Sequence, residues 1–337
     1  MLAAAGGVGA FVYGRARSSK PDEPPPVAQP APARPGLASA TQSALTLPAG
    51  VPKKDGGAKL LDDAKTALEK GDEVQGLLAL RRAALESGNG PEATSARTKL
   101  AEISAAAIDA ARKAGSDVVA ERNALSRAFF ATLVKADRAP IAKRLDELAK
   151  IVVFSSRPSP DAEVYTVKPG DRLSTIARSK KVPWTFLKRI NGLQRESIRV
   201  GQRLKIPTGS VSIVVFKSEF QLTLTLQGRV IRVFDVGTGR EDRTPEGTFT
   251  IADRLSEPTW YSPDGHAYPY GTKENILGTR WLGFSRTDQC TGFGIHGTAF
   301  PETIGTASSA GCVRMRNEEV EELYDLVSEG ASVTIQR

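Results

Sequence analysis

Histidine and cysteine are almost missing from this chain, two of each among 337 residues, and each scarcity removes a class of structure. Two cysteines give no disulfide framework of the kind that staples small secreted domains. Two histidines, with no cysteine or carboxylate cluster at ligand spacing, predict no metal site, and no cofactor is expected. A long apolar run is missing too. Residues 2–13 are apolar and rich in Gly and Ala, with Arg15, Arg17 and Lys20 behind them. A bilayer needs ~20 such residues, and a signal peptide has a basic start. Residues 1–20 therefore read either as the stub of a membrane anchor that begins upstream of Met1, the preferred reading, or as a frayed terminus.

The composition is otherwise that of a soluble globular chain longer than one average domain, 40% hydrophobic and 25% charged. The scarce residues are placed tellingly. His296 opens His296-Gly297-Thr298, and Cys312 lies in Ser309-Ala310-Gly311-Cys312-Val313-Arg314. An arbitrary pair of this kind is more often a core histidine and a buried thiol. Together in one site, they are the minimal kit for a thiolate nucleophile, because imidazole can accept the thiol proton and return it to a leaving amine. Thr291 to Gly297 alternates small and apolar residues and reads as a strand delivering His296 at its end. Gly311 permits close approach of a substrate, and the amides around Gly311 and Cys312 are candidate oxyanion donors. Arg314, two positions after Cys312, points to the same side if the segment is extended. There it would lower the thiol pKa or hold a substrate carboxylate.

These motifs, with Ile295, Ile304-Gly305, Met315 and Val333-Thr334-Ile335, resemble the L,D-transpeptidase catalytic domain of the YkuD-like type. The similarity extends upstream through Val236-Gly237-Thr238-Gly239, Thr244-Pro245-Glu246-Gly247-Thr248-Phe249 and Leu277-Gly278-Thr279-Arg280-Trp281, so it covers residues 211–337. The resemblance implies a β-rich sandwich with a short helix, and an enzyme that makes 3→3 cross-links in peptidoglycan. Carried over position by position, Cys312 is the nucleophile and His296 the base and then the acid. The Gly297 carbonyl orients the imidazole in place of an aspartate, while Ser309, Gly311 and Arg314 support the site. Ala310 stands where many members have histidine, which bears on substrate fit, and Glu246 replaces a more usual small polar residue. The implied reaction attacks the amide between the third residue of a stem tetrapeptide and its terminal D-Ala. A second stem's amine then resolves the thioester; water in its place would make an L,D-carboxypeptidase. The alternative of another class is a non-catalytic wall-binding scaffold.

Six residues of strand between Cys290 and His296 would hold Cys290 roughly 20 Å away at ~3.3 Å per residue, so no bridge to Cys312 is expected unless Thr291-Gly292 turns. Cys290 reads as structural. His266 lies in a turn-rich loop as an exposed residue, and Tyr268 and Tyr270 of that loop are expected to form a substrate rim.

Positive charge is concentrated in one module. Residues 164–207 carry eleven Lys and Arg against two acidic residues, whereas residues 208–337 carry twelve against seventeen. A basic patch admits nucleic acid, anionic membrane or an acidic polymer as partner. The pattern inside it favours the last and argues against nucleic acid. Val164 to Val167 reads as a strand and Pro169-Gly170-Asp171 as a turn, followed by a helix from near Arg172. Pro183 suits the first turn of a second helix, which Asn191-Gly192 ends, and Gly201 to Pro207 closes with a strand. This βααβ pattern over residues 163–207 resembles LysM, a module for N-acetylglucosamine-containing polymers. The resemblance places glycan between Gly170-Asp171-Arg172-Leu173 and the loop ending in Val200-Gly201.

Seven prolines between Pro21 and Pro35 make residues 21–57 an extended spacer. Residues 58–154 show apolar residues at helical spacing, with breaks expected at Gly71-Asp72, Gly88 to Pro91, Gly115 to Asp117 and Pro140. That predicts about five helices, vaguely like tetratricopeptide units, serving either as a scaffold for a protein partner or as a plain spacer. The whole reads as a multidomain protein of the cell envelope: an α-helical region, a LysM module and a C-terminal β-sandwich enzyme. Peptidoglycan stem peptides and glycan strands are its expected partners.

Overall fold

The computed structural model describes residues 56–287 and 290–337. The anchor-like residues 1–20 and nearly all of the 21–57 spacer lie outside the described residues. Five helices come first: α1 (Gly57–Glu69), α2 (Glu73–Glu86), α3 (Pro91–Lys113), α4 (Val118–Ala131) and α5 (Lys135–Val152). Side-chain caps start two of them. The Asp72 carboxylate accepts the Gln75 N–H at 3.2 Å, and Asp117 accepts those of Val119 and Ala120 at 3.0 Å. Pro91 occupies the first turn of α3, where its missing N–H leaves no helical bond unmade. Pro140 does not break the chain. It lies inside α5, where packing of Ile141, Leu145 and Leu148, each at most 1% exposed, outweighs one lost hydrogen bond. The break falls earlier, at Thr132 and Val134, which adopt extended backbone. Among the described residues, no helix is long and apolar enough to cross a membrane.

The small basic module follows as β1 (Ala162–Thr166), α6 (Leu173–Ser179), α7 (Trp184–Ile190) and β2 (Arg203–Pro207), with β1 antiparallel to β2. Asn191 ends α7 and ties it to β2. Its side-chain nitrogen donates to the Leu187 and Lys205 carbonyls, and its oxygen accepts the Lys205 N–H at 2.7 Å.

The C-terminal domain contributes β3 (Val211–Phe216), β4 (Gln221–Leu226), β5 (Arg229–Asp235), β6 (Thr238–Gly239), β7 (Gly247–Ser256), β8 (Trp260–Tyr261) and β9 (Ala267–Tyr268). After these come β10 (Arg280–Phe284), β11 (Gly294–His296), β12 (Ala307–Ser309), β13 (Val313–Arg314), α8 (Asn317–Leu326) and β14 (Ser332–Gln336). Eight strands pair in the order β13-β11-β10-β7-β14-β3-β4-β5. The long β7 joins the halves of this curled sheet, pairing β14 through Gly247–Thr250 and β10 through Ile251–Ser256. One core fills its concavity, with Ile213, Val215, Leu222 and Leu224 from one half meeting Leu282, Ile295 and Val313 from the other.

β3 is apolar on both faces, and the period-2 geometry of a strand explains why. Ile213 and Val215 enter the domain's own core, whereas Val214 and Phe216 enter the core of the helical bundle. The bundle's inner face is thus occupied by this chain's own sheet. Buried charge reinforces the joint. Arg81 and Arg138, both fully buried, converge on Glu219, and their guanidinium carbons lie 4.6 and 5.0 Å from the Phe216 ring centre. Burial pulls the Arg81 pKa down to about 9. Two buried cations sharing one carboxylate contribute little net stability, so the apolar contacts and Phe216 carry the joint. Phe216→Ala is expected to lower stability by about 3–5 kcal/mol, read from the urea midpoint by the helical circular-dichroism signal. A loss under about 1 kcal/mol would mean that the joint does not depend on this ring.

The basic module is clamped as well. Lys205 Nζ, buried and lowered to about 8 by that burial, caps the end of α5 on the carbonyls of Val152 (2.6 Å) and Ser155 (3.1 Å). Phe154 lies between the guanidiniums of Arg189 and Arg232, at 4.4 and 4.3 Å, and both arginines reach Glu322 on α8 at 2.6 Å.

Candidate active site

β11 and β13 run parallel, with Ile295 opposite Val313 and His296 opposite Arg314. This short pairing brings the two glycine-rich segments together. A cavity of about 600 Å³ opens at their ends, lined by His296, Ser309, Cys312 and Arg314 and walled by Trp260, Tyr261, Trp281 and Phe293. Cys312 is half-buried, whereas His296 is 2% exposed.

The imidazole is held from two sides. Its Nδ1 meets the Gly297 carbonyl at 2.5 Å, which makes Nδ1 the donor and leaves Nε2 as the basic nitrogen. The Trp281 indole stacks on it with ring centres 6.0 Å apart, and is itself fixed by its N–H on Asp253 at 2.7 Å. Burial pushes the His296 pKa down to about 4, against the Gly297 bond and with help from Arg314. Burial pushes the Cys312 thiol up to about 11, against the Gly294 backbone and the Arg314 charge. Over the range between, the cavity holds at rest a neutral thiol and a neutral imidazole.

Ser309 shapes the turn before Cys312. Its hydroxyl accepts the Gly311 N–H at 3.0 Å and donates to the Cys312 carbonyl at 2.7 Å. The Gly311 amide is therefore engaged. Among the described residues the Cys312 N–H makes no such bond, which leaves it as the amide available to an oxyanion. Gly311 sits at φ +146°, where a Cβ would come within 2.1 Å of the Phe293 ring.

Two supporting residues receive no site role from the sequence, although Thr244 stands in one of the quoted motifs. Asn317, at the start of α8, accepts the N–H groups of Thr279 and Thr298 at 3.2 Å and donates to the Thr298 carbonyl at 3.1 Å. It pins the backbone around Gly297, whose missing Cβ would lie 2.2 Å from the Asn317 oxygen. Thr244 donates to the Gly311 carbonyl at 2.9 Å while accepting the Gly239 N–H at 2.7 Å. Lys217 holds the Thr244 carbonyl at 3.1 Å and pairs with Glu246 and Asp242. Each is an ordinary polar residue in sequence, and only the fold brings it to the site.

Three expectations are corrected. The strand delivering His296 is only Gly294–His296; before it, Thr287 and Cys290 form a bridge and Gly292 turns at φ +75°. Cys290, buried at 1% exposure, is consequently not strung out along a strand, and both thiols are free. The cavity wall takes Trp260 and Tyr261 instead of Tyr268 and Tyr270. Tyr268 lies behind, stacked on Trp260 at 5.3 Å, because β8 and β9 form a hairpin that turns Trp260 inward. Leu173 of the basic module is 2% exposed and belongs to the core, not to an open groove. His266 is exposed, as expected, with its Nδ1 on Asp264 at 3.0 Å.

Gly201 donates its N–H to the Val167 carbonyl at 2.9 Å, which sets the Val200-Gly201 loop beside the turn at Gly170. Val200 is 65% exposed. Asp171 braces that turn by accepting the Lys168 N–H at 2.7 Å and the Tyr165 hydroxyl at 2.8 Å, which hold its carboxyl below the usual range. Arg172 precedes α6, with its N–H on the Thr175 hydroxyl at 3.2 Å.

Residues 210–335 match the model of the YkuD L,D-transpeptidase catalytic domain, and residues 165–207 match that of the LysM domain. The chain is 33% identical over 180 residues to a putative L,D-transpeptidase, YkuD, of Bacillus subtilis strain 168, covering 51% of this chain and 98% of that protein. It is 35% identical over 130 residues to the putative L,D-transpeptidase YqjB of the same organism, covering 38% and 72%. Among solved structures, an L,D-transpeptidase from Mycobacterium smegmatis aligns at 21% identity and a TM-score of 0.32, covering 41% of this chain and 65% of that one.

Proposed function

The chain belongs to the YkuD family of L,D-transpeptidases, and from that premise we propose that it forms 3→3 cross-links in peptidoglycan through a thioester on Cys312. The observation that carries the reading is the single cavity shared by Cys312, His296 and Arg314. Nε2 of His296 takes the thiol proton as sulfur attacks the carbonyl between the third stem residue and D-Ala. The oxyanion forms against the Cys312 N–H, a donor fixed in place by the Ser309 turn. Collapse expels D-Ala, whose amine receives the proton from His296. An amine from a second stem, deprotonated by the same nitrogen, then attacks the thioester and releases the cross-linked product. The Gly297 carbonyl keeps the imidazole in one tautomer throughout, as a carboxylate does in other triads.

The LysM domain supports peptidoglycan binding, with glycan assigned to the groove between Gly170 to Leu173 and Val200-Gly201. Both substrates place the protein outside the cytoplasmic membrane, and the excess positive charge of the LysM module suits wall carboxylates. Incubation with disaccharide tetrapeptides and mass analysis of the products tests the reading. A 3→3 dimer is expected. Tripeptide and free D-Ala without dimer would make the protein an L,D-carboxypeptidase, and no product at all would leave a wall-binding scaffold.

A further inference from the structure

Three successive peptide units run through the turn at Cys312, and Ser309 holds only the outer two. Its hydroxyl accepts the Gly311 N–H of the first and donates to the Cys312 carbonyl of the third. The middle unit joins the Gly311 carbonyl to the Cys312 N–H, the amide left open to an oxyanion. Among the described residues that carbonyl is met by the Thr244 hydroxyl, at 2.9 Å.

A peptide unit is planar, and in its trans form the carbonyl and the N–H point in opposite directions. Whatever fixes the Gly311 carbonyl therefore aims the Cys312 N–H. A lock is needed at this position. Gly311, at φ +146°, has the rotational freedom of a residue without a Cβ, and turning the middle unit about its two ends would carry the N–H away without moving a side chain. The bond from Thr244 opposes that turn. It also draws electron density toward the Gly311 oxygen, which makes the N–H of the same unit a stronger donor.

Thr244 is itself held from two sides. It is 1% exposed and lies outside the cavity lining, and its hydroxyl accepts the Gly239 N–H at 2.7 Å, so its one proton is directed to Gly311. Gly239 lets the segments close up, since a Cβ there would stand 2.8 Å from the Thr244 nitrogen and 2.9 Å from the Gly311 Cα. From the other side Lys217 binds the Thr244 carbonyl at 3.1 Å and pairs with Asp242 and Glu246, at 2.7 and 3.0 Å. The loop so gripped holds Glu241 and Asp242 in left-handed backbone, at φ +52° and +60°, which non-glycine residues keep only under restraint. Resting on the transpeptidase reading above, we infer that Thr244, anchored by Lys217, is a positioning residue for the oxyanion: it aims and polarises the Cys312 N–H without touching substrate.

Full-length wild type, Thr244→Val, Thr244→Ser and Lys217→Met are compared in two reactions of the same sulfur: D-Ala release from a disaccharide tetrapeptide, and alkylation by iodoacetamide mapped to Cys312. Displacement of iodide builds no oxyanion. Thr244→Val is expected to lower kcat about 10–100-fold, with KM little changed and alkylation at the wild-type rate. Thr244→Ser should recover most of that loss, and Lys217→Met should show the same split at about 3–10-fold. An unchanged kcat in Thr244→Val, or a parallel fall in D-Ala release and alkylation, would overturn the inference. If Thr244→Val does not fold, Lys217→Met decides by the same two criteria. A 3→3 dimer from wild type would leave the transpeptidase reading standing in either event, and no product from wild type would remove both.

Discussion

Cys312→Ala is expected to lower D-Ala release about a millionfold, because it removes the sulfur on which the acyl intermediate forms. The loss should come without loss of fold, since Cys312 is half-buried and its sulfur makes only weak contacts, with the Gly292 carbonyl and the Gly294 backbone. A carbapenem provides a second readout, in which intact protein gains one adduct and Cys312→Ala gains none. Cys290 is the internal control. It is buried at 1% exposure, and burial raises its thiol pKa, so Cys290→Ala should keep the full adduct. An adduct that survives Cys312→Ala and maps to Cys290 would dismiss Cys312 as the nucleophile.

His296→Gln is expected to cost about 10²–10⁴-fold in kcat, the usual worth of a positioned acid–base group. The pH dependence sharpens the test. With the imidazole at about 4 and the thiol at about 11, kcat/KM should hold level from pH 7 down past pH 6 and fall only toward pH 4. Iodoacetamide should alkylate Cys312 faster at each step up to pH 10, with no plateau near neutrality. Stability follows the same group. Between pH 6.5 and 4 the unfolded chain binds a proton at this histidine that the folded chain refuses, so stability falls as pH falls across that window, by about 3 kcal/mol from this residue. His296→Gln should remove that contribution. A wild-type acid limb centred at pH 6.5 would show instead that the imidazole is not held neutral by burial.

The glycine-rich segments around His296 and Cys312 are legible in sequence because their chemistry is local: residue types that occur twice in the chain, flanked by residues that permit close approach. The βααβ pattern is legible for a similar reason, since Pro183 and Asn191-Gly192 punctuate it within a few residues. What escapes is carried by contacts between distant segments. Asn317 and Thr244 gain meaning only from carbonyls and amides 19 and 67 positions away. Pro140 misleads because local propensity yields to the packing of Ile141 and Leu145. Val211 to Phe216 carries an unread signal: an apolar run with no solvent face requires cover on both sides, and the helical region supplies the second cover.

The ring of Phe154, gripped between Arg189 and Arg232, bears on how such a protein would work along a polymer. A sugar-binding unit on a loose leash would let the sulfur sweep a sphere around its foothold. Locked to α5 and α8, it offers one stride and one heading from each foothold instead. The intervals between successive stitches would then be dictated by the dimensions of the molecule itself.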